Sequence, residues 1–400
     1  MVRQNRLSGF SRRSFLHLSA GASVAATCSF WTEPMLAAAQ VRHHELVKDG
    51  VMINANENPL GPSQGARDAV ASIIPLGGRY NMNLTEDLVN TFAEQEGLKP
   101  EFIQPFPGST GPLHGGVVAF TSPQKSLVIA DPGYEAGMRS AEITGARVVK
   151  VPLTKTYAHD VKAMVAAGAD AGLFYVCSPN NPTGTLTSHS DIEYLVENKP
   201  KGSVVMIDEA YIHFADVPST LDLVKAGKDV VVLRTFSKIY GMAGLRCGFA
   251  VARPDLLARV TEFGGFTFMP VTAAIAATTS LKDPKLIAER RRINAGVRQE
   301  TFAWLATNGY SYIPSESNCF LLDTKRPGRQ VIDAMATQKV YIGRIWPVMP
   351  TCVRITVGTH DEMAQFQTAL KKVMTGAVAM SIAPVRPTST RRAGRVMLES

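Results

Sequence analysis

The sequence predicts an α/β protein of two domains, in which a large domain with a mostly parallel sheet precedes a smaller α+β domain. Its 400 residues exceed what one hydrophobic core usually serves, and 45% hydrophobic with 19% charged residues is typical of a soluble globular chain. From about residue 108 short apolar runs alternate with helical patterns, as in βαβ units. From about residue 281 a long helical pattern is followed by short strands and by a helix near residues 361–374.

Six Val- and Ile-rich runs are the predicted strands of the large domain. Such runs suit the strands of a parallel sheet that is buried on both faces. Ligands of these sheets bind at the carboxyl ends of the strands. The polar residues that directly follow the runs are therefore the candidate site. The runs span residues 126–130, 147–151, 171–176, 203–208, 229–234 and 247–252.

The basic charge of the chain is concentrated at its two ends. Of the net charge of +8, residues 1–39 hold +3 and residues 381–400 hold another +3, which leaves +2 for the body. A body so near neutrality gives no support to a nucleic-acid-binding surface. The basic run Arg290–Arg292 within the long helical pattern is expected to be a solvated helix face.

Residues 1–39 have the pattern of an export signal. Arg12 and Arg13 precede a short apolar run, and small residues at Ala37 and Ala39 suit a cleavage site. The segment Ser-Arg-Arg-x-Phe-Leu resembles a bacterial twin-arginine signal, so we expect recognition by that export machinery and a periplasmic or secreted protein. An uncleaved membrane anchor is the alternative, but the run is short and rich in Ala, Ser and Gly.

The rest of the chain divides by composition and pattern. We predict an N-terminal arm at residues 40–75, a large domain at 76–280, a small domain at 281–376, and a Pro-, Ser- and Arg-rich disordered tail at 377–400. The cysteines after residue 39 form no Cys-x-x-Cys pair and lie in or beside apolar runs, which favours buried free thiols. A Cys319–Cys352 disulfide stays open as an alternative. No metal site is predicted.

Four motifs follow the predicted strands in a fixed order. "SPNNPTG", "DEAY", "TFSK" and "GLRCG" place Asn181 27 residues before Asp208, Asp208 30 residues before Lys238, and Lys238 8 residues before Arg246. Singly, each motif reads as a turn, a helix start or a surface charge. Together, at neighbouring strand ends, they indicate one site.

These motifs resemble those of fold-type I pyridoxal-phosphate (PLP) enzymes of the class I/II aminotransferases, and most closely the histidinol-phosphate aminotransferase branch. The resemblance runs from "NANENPLGP" to "VRITVGT". It implies a seven-stranded, mostly parallel sheet, and transfer of an amino group between an amino acid or related amine and a 2-oxo acid. It also implies a homodimer with shared active sites. A PLP-dependent racemase or decarboxylase, or a true histidinol-phosphate aminotransferase, remains the alternative.

The resemblance assigns the reactive end of the cofactor to five residues. Lys238 is expected to form the Schiff base with the cofactor and to move the proton at the substrate Cα. Asp208 pairs with the pyridine nitrogen, so that the ring can accept electrons. Asn181 and Tyr211 donate hydrogen bonds to the phenolic oxygen. Tyr134 stacks on the ring.

The cofactor phosphate is assigned to a second group of residues. "GSTGPLHGG" opens a helix, so the backbone amides of Ser109 and Thr110 are placed to bind an anion. The Thr235 hydroxyl and the Arg246 guanidinium complete this site by resemblance. Tyr80 matches the tyrosine that the neighbouring subunit contributes to the phosphate.

Substrate binding is assigned to Arg354, Arg344 and Asn58. Arg354 in "CVRITVGT" matches the family's arginine for a substrate carboxylate or phosphate, and Arg344 matches a second anion-contacting position. The connection between these two arginines is short and lacks the family's usual Gly- and Tyr-rich pattern. With the export signal, this favours an amino-acid carboxylate on Arg354 over the phosphate of histidinol phosphate.

Overall fold

A computed structural model of the chain describes residues 50–264 and 268–376. The predicted export signal and the predicted tail lie outside the described residues. Within the described ranges, no helix has the length and apolar character needed to cross a membrane.

Twelve strands and twelve α-helices are described. The strands are β1 Val51–Ile53, β2 Ile103–Phe106, β3 Ser126–Asp131, β4 Val148–Pro152, β5 Ala171–Cys177, β6 Val204–Asp208, β7 Val230–Thr235, β8 Gly248–Ala252, β9 Ser311–Tyr312, β10 Cys319–Asp323, β11 Val340–Ile342 and β12 Cys352–Thr356. The helices are α1 Gln64–Ile73, α2 Met82–Glu96, α3 Thr110–Phe120, α4 Ala136–Thr144, α5 Val161–Ala167, α6 His189–Asn198, α7 Leu221–Lys225, α8 Pro254–Gly264, α9 Val271–Leu281, α10 Leu286–Thr307, α11 Gly328–Thr337 and α12 His360–Met374.

A seven-stranded sheet organises the larger part of the protein. Its strand order is β2-β8-β7-β6-β5-β3-β4, and the pairs from β7 to β4 are all parallel. β8 runs antiparallel to both of its neighbours. The mostly parallel α/β fold predicted from the sequence is confirmed.

The central strands are hydrophobic because both faces of the sheet are covered. Every residue of β5, β6 and β7 is buried. β-branched side chains such as Val231 and Val232 pack well on a pleated surface, and full burial of each contributes about 1.5–3 kcal/mol. All six predicted strands match observed strands to within one residue. The seventh strand, β2, has the sequence IQPF, and its glutamine and proline hide it from a search for apolar runs.

A second hydrophobic core lies around two smaller sheets. One is three-stranded with the order β12-β10-β9, and the other pairs β1 with β11 in parallel. Helices α10, α11 and α12 pack against them, with Val297, Met335 and Phe366 buried in this core. Helix α12 begins with a capping box, in which Thr359 and Glu362 satisfy each other's backbone amides. Through β1, the segment before the first helix is tied to this second core.

The arginine run on α10 differs from its prediction as a solvated face. Arg290 is only 6% exposed and donates to the Ile239 carbonyl at 2.9 Å, whereas Arg292 is exposed. Arg291 lies between these extremes and bonds the His213 carbonyl. Because successive helix residues turn by about 100°, three in a row cannot share one face. The prediction was wrong for Arg290.

The four described cysteines are free and buried, as the preferred interpretation of the sequence holds. In the antiparallel pair of β10 and β12, Cys319 lies opposite Thr356 and Cys352 lies opposite Asp323. The two thiols therefore sit at opposite ends of the ladder, and no disulfide joins them.

Candidate active site

A cavity of about 360 Å³ opens at the carboxyl edge of the seven-stranded sheet. This is the edge at which ligands of such sheets bind. Nine of the ten predicted cofactor-binding residues line this cavity, namely Ser109, Thr110, Tyr134, Asn181, Asp208, Tyr211, Thr235, Lys238 and Arg246. Motifs that are separated along the chain thus lie around one cavity.

Asp208 is the last residue of β6 and lies deep in the cavity wall, 4% exposed. Burial raises the pKa of Asp208, while hydrogen bonds from the Tyr175 hydroxyl at 2.8 Å and from the Ala210 amide at 3.1 Å lower it. Burial, and then the Asp208 charge, raise the pKa of Tyr175 well above its ordinary value, so its hydroxyl stays a donor. The carboxylate is therefore held in place by two donors on its own oxygens.

Lys238 lies three residues beyond the end of β7, and its amine is buried in the same cavity. Its Nζ donates to the Asn56 carbonyl at 3.0 Å and approaches the Ala55 carbonyl at 3.4 Å. It also lies 5.5 Å from the centre of the Tyr211 ring. Asn56 in turn donates from Nδ2 to the Tyr211 hydroxyl at 2.9 Å. Backbone carbonyls and an aromatic ring thus position the buried amine.

The turn that carries Lys238 is fastened from outside the cavity. The carbonyl of Ile239 accepts from Arg290 at 2.9 Å and from Asn58 Nδ2 at 3.0 Å. Asn58, predicted to bind substrate, does not line the cavity. Its side-chain amide contacts the turn of Lys238 instead.

Another part of the cavity wall is suited to binding an anion. Ser109 is the N-cap residue of α3, a helix start has backbone amides without intrahelical partners, and Ser109 and Thr110 line the cavity. Arg246 donates to Ser237 at 3.3 Å, and Ser237 bonds Thr235 at 2.9 Å. Burial lowers the pKa of Arg246, so a bound anion would relieve the cost of burying its charge.

Gly108 shows how closely this end is packed. Its φ is +86°, a conformation that favours glycine, and an added Cβ would collide with the Arg246 guanidinium. Arg246 itself has a φ of +64°. The cradle therefore requires both an unusual backbone and the absence of a side chain at position 108.

Arg354 contacts Asn181, which lines the cavity, but neither Arg354 nor Arg344 lines it. Arg354 is fully buried on β12 and donates to Asn181 Oδ1 at 2.9 Å and to the Asn54 carbonyl at 2.7 Å. These two hydrogen bonds hold the guanidinium in place, and its planar fork suits the bidentate binding of a carboxylate.

Arg344 lies next to Arg354 but has a charged partner. Its Nη2 is 2.6 Å from Glu135 Oε2, and its guanidinium lies 4.6 Å from the centre of the Trp346 ring. The Arg344 carbonyl accepts from the Arg354 amide at 3.0 Å. The structure thus brings the two predicted substrate arginines together, and it pairs one of them with a carboxylate that the sequence analysis did not select.

Tyr80 is 73% exposed and does not line the cavity of its own chain. Its ring stacks on Phe268 at 4.9 Å between centroids. An exposed aromatic pair outside its own cavity is compatible with the prediction that Tyr80 serves a neighbouring subunit.

Four functional side chains escaped the sequence analysis: Asn56, Glu135, Tyr175 and Ser237. Ser237 had a signal, since it stands inside "TFSK" directly before the lysine. Tyr175 sits in an apolar run, and it reaches Asp208 because Cys177, two residues on and on the same face, pairs with Asp208 across the strands. Asn56 and Glu135 are placed by contacts across more than 150 residues.

Comparison with known proteins agrees with this arrangement. The sequence model of the family "aminotransferase class I and II" matches residues 49–370. The histidinol-phosphate aminotransferase of Moorella thermoacetica is 32% identical over 341 residues, which cover 82% of this chain and 86% of that protein. The protein of the same name from Symbiobacterium thermophilum is 33% identical over 334 residues, covering 83% and 91%.

A solved structure shows the same fold. The crystal structure of histidinol-phosphate aminotransferase from Sinorhizobium meliloti in complex with pyridoxal-5'-phosphate superimposes with a TM-score of 0.75 at 25% sequence identity, and the match covers 92% of this chain and 99% of that one. The predicted fold, transaminase activity and PLP cofactor are confirmed. The chain belongs to the class I and II aminotransferase family.

Proposed function

We propose that the cavity at the sheet edge carries out amino transfer between an amino acid and a 2-oxo acid, with Lys238 and Asp208 as its catalytic residues. The observation that carries this assignment is the placement of a buried amine, a buried carboxylate and an anion cradle in the wall of one cavity. These three groups correspond to the aldehyde, the pyridine nitrogen and the phosphate of PLP.

The residues present fit the cofactor. The helix start at Ser109 and Thr110, with Thr235 and Arg246, would hold its phosphate, and Gly108 leaves the room that this cradle needs. When bound, PLP supplies an aldehyde that reacts with amines and a ring that accepts electrons from the substrate Cα.

Asp208 would hold a proton on the pyridine nitrogen. Its burial makes an uncompensated negative charge costly, and the donors Tyr175 and the Ala210 amide keep that charge in place. A carboxylate fixed in this way attracts a positive partner strongly, since the surroundings screen it little.

Lys238 would move the proton at the substrate Cα as a general base and acid. In the structure the carbonyls of Asn56 and Ala55 hold its Nζ, and Arg290 and Asn58 hold the turn beneath it through Ile239. These contacts limit the positions that the amine can reach, which favours transfer at one atom.

Arg354 would bind the α-carboxylate of the amino-acid substrate. Its support is the resemblance and its hydrogen bond to Asn181, which lines the cavity. An amino acid bound there presents its amine toward the interior, where Lys238 lies. Histidinol phosphate carries no carboxylate beside its amine, so we expect it to be a poor donor.

We also propose a homodimer with shared active sites. The support is Tyr80, whose ring is exposed on its own subunit together with the half-exposed Phe268. In a dimer this tyrosine would reach the partner's phosphate cradle. The mass in solution measured by light scattering tests the dimer, and a weaker affinity for PLP in Tyr80→Phe tests the shared site.

Export through the twin-arginine machinery is a further part of the proposal. Its support is the sequence of residues 1–39, with Arg12 and Arg13 before a short apolar run. That route suits a protein that folds around its cofactor before transport. Replacing both arginines with lysine keeps the charge, and we expect it to leave the protein in the cytoplasm. Fractionation that still finds this variant outside the inner membrane would refute the route.

The activity is tested by a donor screen with the purified PLP-loaded protein. Amino acids are supplied with pyruvate or 2-oxoglutarate, and the new amino acid is quantified together with carbon dioxide and the chirality of the remaining donor. Transamination gives a new amino acid in equal amount to the donor consumed. Carbon dioxide release or an inverted donor without amino transfer would instead assign the site to a decarboxylase or racemase.

A further inference from the structure

A buried ion pair lies beside the arginine assigned to the substrate carboxylate. The Arg344 side chain is 1% exposed and that of Glu135 is 23% exposed, with 2.6 Å between Nη2 and Oε2. Arg344 and Arg354 approach the ring of Trp346 at 4.6 and 5.7 Å. Two guanidiniums therefore share one aromatic ring, and a carboxylate neutralises the charge of Arg344.

The pair lies next to the cavity wall without lining it. Glu135 directly follows Tyr134, which lines the cavity. The loop of Glu135 is tied to that of Arg344 by a second contact, from Trp346 Nε1 to the Gly133 carbonyl at 2.9 Å. A backbone hydrogen bond also joins Arg344 to Arg354, so the pair is linked to the arginine assigned to the substrate carboxylate.

We propose that Glu135 determines substrate specificity by neutralising Arg344, so that the site takes amino acids and 2-oxo acids with a single carboxylate. This inference rests on the proposed function and names the substrate class of that same site. Arg354 holds the one carboxylate, and the Glu135–Arg344 pair excludes a second anionic group, whether a phosphate or a distal carboxylate.

Electrostatics supports exclusion over accommodation. A second anion can bind Arg344 by displacing Glu135, which breaks their ion pair, or by lying beside Glu135 with the same charge. Either outcome is unfavourable. The exposed Glu57, whose side chain also lines the cavity, adds another negative charge to the wall. Built-in repulsion of this kind is a common source of specificity.

The relatives described above are named for a phosphorylated donor. Arg344, which by resemblance contacts an anion, would serve such a donor if its charge were available. In this chain Glu135 takes up that charge. The same fold and the same catalytic residues can therefore act on a different class of donor.

The test measures binding on the PLP-loaded full-length protein, independently of turnover. Maleate serves as the dianionic probe and 4-methylpentanoate as the monoanionic probe, each followed by the absorbance of the bound cofactor. The variants are Glu135→Gln, Glu135→Asp and Glu142→Gln. Glu142 is a matched control, because it lies on the helix that follows Glu135 and pairs with Arg139 at the surface.

Glu135→Gln should strengthen maleate binding about tenfold, which corresponds to about 1.4 kcal/mol, and should change 4-methylpentanoate by less than about twofold. Glu135→Asp, which keeps the charge, and Glu142→Gln should retain the preference of the wild type. In turnover, the ratio of kcat/KM for 2-oxoglutarate over pyruvate should rise in Glu135→Gln in the same proportion. Glu135→Ala provides a second neutral variant if Glu135→Gln folds poorly, as judged by its melting temperature.

Unchanged maleate affinity in a folded Glu135→Gln or Glu135→Ala protein would overturn the inference, as would a wild type that prefers maleate. Loss of amino transfer with every donor, while the binding preference follows Glu135 as expected, would instead count against the proposed function alone. The two failures are therefore distinguishable.

Discussion

The cofactor end and the substrate end of the active site are assembled in different ways. At the cofactor end, Asn181, Asp208 and Lys238 follow three neighbouring strands of one sheet, so the chain order of the strands brings them together. At the substrate end, Arg354 meets Asn181 across 173 residues and Arg344 meets Glu135 across 209. The first end depends on one sheet, and the second depends on how two separate cores pack. The residues assigned to the cofactor therefore lie in short sequence motifs. The residues assigned to substrate choice are instead brought together by contacts between distant parts of the chain.

The strongest test of the cofactor end is Lys238→Ala. We expect complete loss of amino transfer, because the cavity then lacks its general base. The absorbance band of cofactor linked to Lys238 should also disappear, because the covalent anchor is gone. The fold should survive, since the alanine leaves the sheet intact. Lys228→Ala is the control, since Lys228 is exposed and its amine lies 3.8 Å from Glu197. Amino transfer at the wild-type rate in Lys238→Ala would show that Lys238 is not the catalytic amine.

The next largest effect is expected for Asp208→Asn. The amide retains the size of the side chain but cannot hold a proton on the pyridine nitrogen, so kcat should fall about 100- to 1,000-fold, as for other preorganised electrostatic groups. PLP should still bind, because the phosphate cradle is unchanged. Steady-state kinetics and cofactor titration measure the two quantities. A variant with normal kcat would reduce Asp208 to a structural residue.

The substrate end is tested by Arg354→Ala. Losing a charged hydrogen bond to the α-carboxylate costs about 1.5–3 kcal/mol, so KM for an amino acid should rise about tenfold to a hundredfold. An amine without a carboxylate should react at an unchanged rate, which provides an internal control for folding. If both donors lose activity equally, Arg354 supports the structure and does not recognise the carboxylate.

The smallest expected effect is that of Tyr175→Phe, which removes one donor to Asp208. Kcat should fall about threefold to tenfold, because one hydrogen bond contributes a net free energy of about 1 kcal/mol. Because Tyr175 lowers the pKa of Asp208, its loss raises that pKa, and the acidic limb of the pH profile should move to higher pH. A lower rate with an unshifted pH profile would show that Tyr175 acts through packing.

The sequence predicted which residues come together around the cavity, because the signals of these residues are local. Runs of Val and Ile mark the buried strands, and the polar residues after them fall at one edge by the topology of parallel sheets. It missed Tyr175 because a tyrosine inside an apolar run looks like core. It also misplaced Arg290, which resembles a surface charge until the turn of Lys238 is seen against α10.

The substrate end was predicted only in part. Arg354 and Arg344 were found by resemblance, but Glu135 carries no signal of its own in "DPGYEAG". Its role depends on the approach of the loop after β3 to the connection between β11 and β12. No local pattern encodes that approach, which is set by the packing of the two cores.

The central claim is amino transfer, and it is tested most directly by following the nitrogen atom. The PLP-loaded full-length protein is given a ¹⁵N-labelled amino acid with one carboxylate, together with pyruvate. The account predicts ¹⁵N-alanine in an amount equal to the 2-oxo acid formed from the donor, and no label transfer by Lys238→Ala. Consumption or inversion of the donor without formation of ¹⁵N-alanine would contradict it.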